Sequence, residues 1–502
     1  MCNSAEEKKT QLLRCLFYTF LLGLAAHGMQ FLMVTPSHDY LFSFFEREGE
    51  YGNAMELGRY LQPVYRALTG TGAAAPWAIG LQSLLWLSLA VCGTAVMFDF
   101  HSRMQIILLA GVMVTNQTVF ATAGTYLTYL GPFTFALMLA VFAALGWKKF
   151  IETGRTSHFL AAALLVAASA GLYQCYLFVT VTWILLDSIR GMFRGKDWKK
   201  TVLAGLMGIA IILVGVGIYF ALLYPVCAAT GIALKQDDYN SVSNLWSNGT
   251  PLLGRILGCY KTFILSFTVG LASVYPTVAM LAVHLVLGIL SLVFIFRLWK
   301  KRTMGPMETV LALVLAVLLP VATLGISILN GELHDLMKFA LCGIYLIPLM
   351  LLKDGKGMQK AAALMLGIVI FSNVQTANLL YTEKQLEYDA TLSLMTDVAS
   401  RIEQQEGYEP GVTPVAFIGY PQDGMVPLPY KEDLRKITGA HASSPITHPT
   451  KYDYYFRNIL EKPLNRVPEE EPQIPGMENM PQYPRKGSIQ MLEGVVVVKF
   501  CK

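Results

Sequence analysis

Charge is what this sequence has least of. Of its 502 residues, 15% are Asp, Glu, Lys or Arg, against roughly 25% in soluble globular chains. That shortfall excludes a disordered chain and argues against a large soluble enzyme. The formal net charge of +5 is spread thinly. No dense Lys/Arg patch of the kind nucleic-acid binders need is present, so nucleic acid is not an expected partner. The cysteines Cys2, Cys15, Cys92, Cys175, Cys227, Cys259, Cys342 and Cys501 are scattered, without a CxxC or a zinc-type spacing. Most fall in apolar runs, where Cys behaves as a small hydrophobe. A disulfide framework and a structural metal are therefore not expected. Internal repeats are lacking too. Ionisable residues are scarce in the middle of the apolar runs, with His284 and the run-end Asp187 as near exceptions. Ion-coupled transport usually needs mid-membrane charge or broken paired helices.

What the chain has instead is apolar length. Hydrophobic residues make up 54% of it, and its mean hydropathy is +0.48. Runs of about 20 apolar residues, long enough to cross a bilayer, recur. They cover residues 12–34, 77–98, 106–121, 126–147, 159–172, 175–189, 202–223, 277–298, 307–329, 339–352 and 361–381. The expected fold is an all-α polytopic membrane protein of about eleven transmembrane helices. The first run is too long for a cleaved signal peptide and is read as a span. After Tyr381 the composition turns polar and rich in Pro and Tyr. Residues 1–381 are thus expected to form the membrane domain and 382–502 a small extracytoplasmic α/β domain. In the latter, Tyr388, Leu392, Met395, Ala399 and Ile402 recur at helical spacing. Residues 414–419 and 495–498 read as short strands, and Pro463 to Pro484 as a loop or linker.

Basic residues fix an orientation. One alternating set of connections carries Lys8, Lys9, Arg14, Arg103, Lys148, Lys149, Arg155, Arg190, Arg194, Lys196, Lys199 and Lys200. It continues with Arg297, Lys300, Lys301, Arg302, Lys353, Lys356 and Lys360. The opposite set is much poorer. The positive-inside rule then puts the N-terminus in the cytoplasm and the tail outside. Residues 159–189 read either as one long tilted helix or as two short ones meeting near Tyr173-Gln174; basic clusters flank both ends of the stretch, so the alternation supports two.

Ionisable residues beside the bilayer on one face are the informative ones, and the outer loops concentrate them. His38-Asp39-Tyr40 directly follows the first run. Phe42, Phe44 and Phe45 come next, suited to an interfacial helix. An Asp39 carboxylate at the membrane–water boundary can act as general base on an acceptor hydroxyl; it would equally serve to cap a helix. Arg59 can hold a phosphate through its planar fork, or snorkel. Tyr173 and Gln174 are polar groups in an apolar run that need partners, and a helix–helix hydrogen bond would satisfy them as well as a ligand. His334, Asp335 and Lys338 form another candidate group, with a solvated turn as the alternative. Asp237-Asp238 is an acidic pair without the companions a cation site needs. Asn116-Gln117-Thr118 and Asn248-Gly249-Thr250 match the glycosylation sequon. Polar chemistry gathered at one face suits an enzyme acting on a lipid-linked substrate. Two rival classes remain: a flippase or transporter of lipid-linked sugars, and a structural partner that anchors an outer domain.

A family resemblance runs along nearly the whole chain. His38-Asp39 with Leu57-Gly58-Arg59-Tyr60-Leu61-Gln62-Pro63-Val64-Tyr65 resembles the first outer loop of the bacterial O-antigen-type, serotype-converting glucosyltransferases and their Gram-positive relatives. Ala170-Gly171-Leu172-Tyr173-Gln174-Cys175-Tyr176-Leu177 resembles that family's Leu-Tyr-Gln helix motif. His334-Asp335-Leu336-Met337 is similar to a His-x-Leu-Met segment. Met480-Pro481-Gln482-Tyr483-Pro484 and Gly494-Val495-Val496-Val497-Val498-Lys499 resemble the tail of the Gram-positive members. Relatives often carry an acid near Tyr129 to Phe135, where this chain has Leu130-Gly131-Pro132-Phe133.

The resemblance implies a GT-C type glycosyltransferase of the bacterial cytoplasmic membrane. Its donor would be a polyprenyl-phosphate sugar, expected to be undecaprenyl-phosphate glucose, with no other cofactor. Its acceptor would be a cell-surface glycan, its surroundings membrane lipid. Asp39 would be the base, and Arg59 and Lys338 would steady the phosphate. Tyr173, Gln174 and His334 would line the cavity, with His38 and Gln62 as further substrate contacts. A phosphate can leave with help from Arg or Lys, so no metal is expected.

Overall fold

The computed structural model of the chain describes residues 5–35, 41, 47–71, 75–235, 250–268, 277–300, 304–330, 333–352, 356–421, 446, 450–469 and 472–500. His38, Asp39, the Phe42–Phe45 stretch, Asp237-Asp238 and the Asn248 sequon lie outside these residues. The described part is mostly helical. Helix α1 spans Ala5–Leu32; the short helices α2 and α3 of the connection after it span Arg47–Glu56 and Leu61–Thr69. Then come α4 (Pro76–Phe98), α5 (Arg103–Val114), α6 (Gln117–Thr125), α7 (Leu127–Thr153), α8 (Thr156–Leu172), α9 (Leu177–Phe193) and α10 (Trp198–Thr230). After them follow α11 (Leu252–Thr268), α12 (Thr277–Lys300), α13 (Pro306–Leu324), α14 (Ile326–Asn330), α15 (Leu346–Leu351) and α16 (Lys356–Glu403).

Among the described residues, 8 helices are long and apolar enough to cross a membrane, or 9 if the bent pair α5–α6 is one span. The apolar helices Thr156–Leu172 and Phe339–Met350 are shorter. Apolar side chains such as Leu164, Leu213, Leu292 and Leu313 are more than half exposed, as lipid-facing residues must be. The bundle interior packs α1, α4, α7, α8 and α9 around Leu87, Val91, Leu137, Ala140, Val166 and Trp183.

Two breaks shape one end of the bundle. Asn116 leaves helical geometry and its side-chain oxygen accepts the Thr118 backbone N–H at 2.8 Å, which caps α6 and sets a 41° bend. The sequon at Asn116 is thus a helix cap, with Thr118 buried. Residues 159–189 are two helices, the reading that charge alternation supports. Tyr173 is extended (φ −161°, ψ 106°) and a 3-10 turn, Gln174–Tyr176, leads into α9.

Ion pairs lock the opposite end. Asp99, just past α4, accepts from Arg190 at 3.2 Å and Arg194 at 2.9 Å. Asp187 meets Arg190 at 2.5 Å and Lys148 at 3.5 Å.

The 48 residues of α16 extend about 72 Å, more than twice a bilayer's hydrocarbon core of roughly 30 Å. The helix runs unbroken through Tyr381, so the compositional change marks a change of surroundings and not the helix end. Its last turns join a second core. There a sheet of order β2-β1-β4-β3 forms from β1 (Pro414–Ile418), β2 (Asn465–Arg466), β3 (Ile489–Leu492) and β4 (Val495–Lys499). β1 pairs in parallel with β2 and β4, and β3 pairs antiparallel with β4. Val496 and Val498 face Met395, Val398 and Ile402 of α16 together with Tyr452, Tyr455 and Phe456 of α17 (Thr450–Asn458). Val497 faces Ile418 and Met480 on the other side. Burial on both faces is what a run of valines in an inner strand predicts. The expected 463–484 loop contributes β2.

Candidate functional site

The turn between α2 and α3 carries the first-loop motif, and a glycine makes it possible. Gly58 is left-handed (φ 72°), and a Cβ there would stand 2.5 Å from the Tyr219 hydroxyl and 3.2 Å from Gln174 Nε2. Tyr219 donates to the Gly58 carbonyl at 3.1 Å, and Gln174 Nε2 donates to the Leu57 carbonyl at 2.8 Å. Gln174 also donates to the Tyr219 hydroxyl at 3.1 Å. The Tyr-Gln motif and the first-loop motif are therefore one construction, in which Gln174 braces the turn.

The brace presents Arg59. Its guanidinium carbon lies 5.0 Å from the centre of the Tyr173 ring and 5.7 Å from that of Phe133. Those rings stack at 3.8 Å and 12°. The side chain of Tyr173 can turn to this site because α8 stops at Leu172. Gln62 Nε2 donates to the Leu172 carbonyl at 2.8 Å, satisfying a group that the helix end leaves open. Arg59 Nε, the Tyr60 hydroxyl and Gln62 Oε1 are buried and have no hydrogen-bond partner among the described residues. Buried polar atoms in this state cost about 1–3 kcal/mol each, which a polar ligand would recover. One turn on, the Arg66 guanidinium carbon lies 4.7 Å from the Tyr129 ring centre. Burial pulls its proton affinity below the ordinary arginine range, and the Tyr129 phenol partly offsets that. Tyr65 donates to Gln82 at 2.7 Å and accepts from Trp86 at 2.9 Å. Burial pushes its phenol up to about 12, the Trp86 bond acting against this. Burial raises the Tyr60 phenol as well, so both stay neutral donors at physiological pH.

Arg66 and Arg59 thus lie along a ladder of aromatic rings. Tyr126, Tyr129, Phe133, Tyr173, Tyr176 and Phe339 follow one another at centroid distances of 6.0, 5.7, 3.8, 5.2 and 5.9 Å. Ring faces attract cations and also suit the apolar face of a sugar. Phe133, in the stretch where relatives often carry an acid, here supplies a ring under Arg59.

At the far end of the ladder stands the His334 segment. Thr118 Oγ1 donates to the Asp335 carbonyl at 2.9 Å, and Lys338 Nζ donates to Asp335 Oδ1 at 2.7 Å. His334 is half-buried beside them. Lys338 lines a small, partly open cavity with Asn116, Gln117, Ser266, His284 and Asn373. His284 is satisfied there by the Met280 carbonyl and the Tyr345 hydroxyl, at 2.8 and 2.9 Å.

Of the residues singled out from sequence, Arg59, Gln62, Tyr173 and Gln174 come together in one site. His334, Asp335 and Lys338 stand across the ladder, with the lysine's charge already facing a carboxylate. Arg66, Tyr129 and Phe133 were missed. So were Glu383, Lys384 and Glu387 of α16, which are at most 5% exposed; the Lys384 stem lies 3.8 Å from where a Gly124 Cβ would stand. The available signals were Arg66 one helical turn beyond Gln62, and an acid–base run directly after an apolar one. Among the described residues, no group of three or more His, Cys, Asp or Glu is placed to hold a metal ion.

No curated protein and no solved structure matches the chain. A family model described as glucosyl transferase GtrII matches residues 28–352. That range is more than half of the chain and includes every motif of the aromatic site. The chain belongs to the glucosyl transferase GtrII family and is a glycosyltransferase.

Proposed function

We propose that the protein transfers a hexose, glucose by the family's description, from a polyprenyl-phosphate carrier to a cell-surface glycan at the outer face of the bacterial cytoplasmic membrane. The observation that carries this reading is Arg59. It is a guanidinium on two aromatic faces, with a buried Nε lacking a hydrogen-bond partner and no carboxylate paired to it among the described residues. A planar fork of donors in such a place fits a phosphate. Arg66 adds a second positive charge on the same ladder, and Lys338 supplies a third at its far end. In the proposed step the acceptor hydroxyl oxygen attacks the anomeric carbon. The bond from that carbon to the phosphate oxygen breaks. Asp39 takes the hydroxyl proton, and the guanidinium groups stabilise the departing polyprenyl phosphate. His38, Gln62, Tyr173, Gln174 and His334 surround the sugar or hold the groups that do.

We read the bent pair α5–α6 and the two shorter apolar helices as completing eleven crossings. The N-terminus is then cytoplasmic and the sheet unit outside. The basic end of the bundle, with Lys148, Arg190 and Arg194, supports this, because Tyr129 and Phe133 begin the same α7 that ends past Lys148. Domain limits of 1–381 and 382–502 follow compositionally, with α16 shared between them.

Purified protein in sealed vesicles, given undecaprenyl phosphate [14C]glucose and cell-envelope glycan, tests the reading against transport. Transfer predicts label in the glycan on the donor's side of the membrane. Label crossing the membrane still attached to its lipid, without transfer, would favour the flippase.

A further inference from the structure

A helix that crosses lipid keeps a polar side chain only where something answers it. Polar groups from three helices converge on the cavity beside Lys338. His284 stands about two turns into α12, Asn373 interrupts the apolar run of α16, and Gln117 opens α6 at the bend. Of the residues of α12, Met280, His284 and Leu287 are buried, and the first two line the cavity. The hollow thus lies under the one stripe by which α12 meets the bundle. Its lining selects a class of ligand. His284 is occupied by the Met280 carbonyl and the Tyr345 hydroxyl. Lys338 is the one charged group among the described lining residues, and Asp335 already answers it. An anion therefore finds little net charge there. No hydrogen bond joins the side-chain amide of Gln117 or Asn373 to another of the described residues. An amide both donates and accepts, as a sugar hydroxyl does. The Phe267 ring in the wall, 5.7 Å from His284 and 6.0 Å from Tyr345, suits the apolar face of a sugar ring. Phe339, next to Lys338 in the chain, ends the aromatic ladder: Tyr176 lies 5.2 Å from Tyr173 and 5.9 Å from Phe339. The cavity adjoins the far end of the ladder that carries Arg59.

We propose that this cavity is the subsite for the acceptor glycan, holding a neutral sugar unit beside the one whose hydroxyl is glycosylated. Gln117 and Asn373 bond its hydroxyls, and Phe267 lies against its ring. This rests on the transferase reading and goes beyond it by separating the acceptor's place from the donor's. Choice of acceptor is then set by α6, α12 and α16, and not by the turn that holds the donor phosphate. Asn373 lies beyond the family match, which ends at residue 352, whereas Arg59, Arg66 and Lys338 lie within it.

The test is glycan binding and steady-state transfer for Gln117→Leu, Asn373→Leu and the double variant, beside Arg59→Ala. The binding probe is tritiated oligosaccharide released from cell-envelope glycan, given to purified protein in detergent with undecaprenyl phosphate present and no sugar donor. Wild type and Arg59→Ala should bind it. The double variant should bind about 10-fold more weakly or worse, the scale of two lost hydrogen bonds. In transfer its KM for glycan should rise likewise, while its KM for undecaprenyl phosphate glucose stays within twofold. Leucine removes unpartnered amides from apolar surroundings, so the melting temperature should not fall; a glycan effect that only follows a lower melting temperature would overturn the proposal. Glycan affinity within twofold of wild type in the double variant would mean a merely hydrated hollow and overturn it too. So would a wild type that binds no glycan, or inorganic phosphate that displaces the glycan, the mark of an anion site. Binding lost in the double variant of a protein that transfers no label keeps the cavity and sinks the transferase reading. Transfer by a double variant with its glycan KM unmoved does the reverse.

Discussion

Replacing Gly58 by alanine should damage the site far more than the protein. At φ 72° an L-residue costs roughly 1–2 kcal/mol relative to glycine. The new Cβ would also stand 2.5 Å from the Tyr219 hydroxyl, which must move. That hydroxyl bonds the Gly58 carbonyl and receives Gln174, and each bond has a net worth of about 0.5–1.5 kcal/mol. The sum is about 2–5 kcal/mol, concentrated on the turn that aims Arg59. At about 1.4 kcal/mol per tenfold, the lower figure is roughly a 30-fold loss of correctly placed guanidinium. The turn can open without unfolding the bundle, so the melting temperature should shift little. The assay is transfer to glycan and donor affinity in detergent or nanodiscs for Gly58→Ala, Tyr219→Phe and the double variant. Removing the hydroxyl relieves the contact but not the backbone strain, so the double variant should recover only part of the loss. A Gly58→Ala enzyme within twofold of wild type would refute the reasoning. So would a double variant no better than the single one.

Other consequences can be checked directly. Asp39→Asn keeps shape but removes the proton acceptor; donor should still bind while single-turnover transfer falls at least 100-fold, the lower value for a positioned base, and a near-normal rate would move the role to Asp335. Alkaline phosphatase fused after the sheet unit should be active and a cytoplasmic-only reporter there silent, and the reverse would invert the membrane orientation. Because guanidinium groups are proposed to stabilise the leaving phosphate, transfer should survive EDTA; loss of activity restored by Mg²⁺ or Mn²⁺ would bring Asp237-Asp238 into the site.

The helices were legible in the sequence because bilayer crossing demands long apolar runs. Runs such as Trp77–Phe98 and Thr277–Leu298 returned as α4 and α12 with nearly the same ends. The α5–α6 bend was not, since Asn116 reads as a lone polar residue until its capping bond is seen. The reach of α16 was hidden for a different reason: hydropathy falls at Tyr381, yet Glu, Lys, Gln and Leu there are good helix formers. Strands β3 and β4 join through Glu493-Gly494, both at positive φ. Glutamate is not a usual residue for that turn, so β3 went unnoticed. In the site, the first-loop and Tyr-Gln motifs were visible as residues out of place in apolar surroundings. Their union through Gln174 and Gly58 was not, nor was the ladder, because α3, α7 and α8 meet only in three dimensions and Phe133 looks like any lipid-facing aromatic.

The most direct measurement is label transfer from undecaprenyl phosphate [14C]glucose to cell-envelope glycan by purified wild type, Arg59→Lys and Arg59→Ala at matched folded concentration. Wild type should transfer label. Arg59→Lys keeps the charge but loses the two-pronged fork, so its donor affinity should weaken more than its chemical step. Arg59→Ala should melt near the wild-type temperature yet lose transfer by at least about 100-fold, the scale for removing an electrostatic contact to a leaving group. A wild-type protein that moves no label, or an Arg59→Ala variant that moves it at the wild-type rate, would contradict the account.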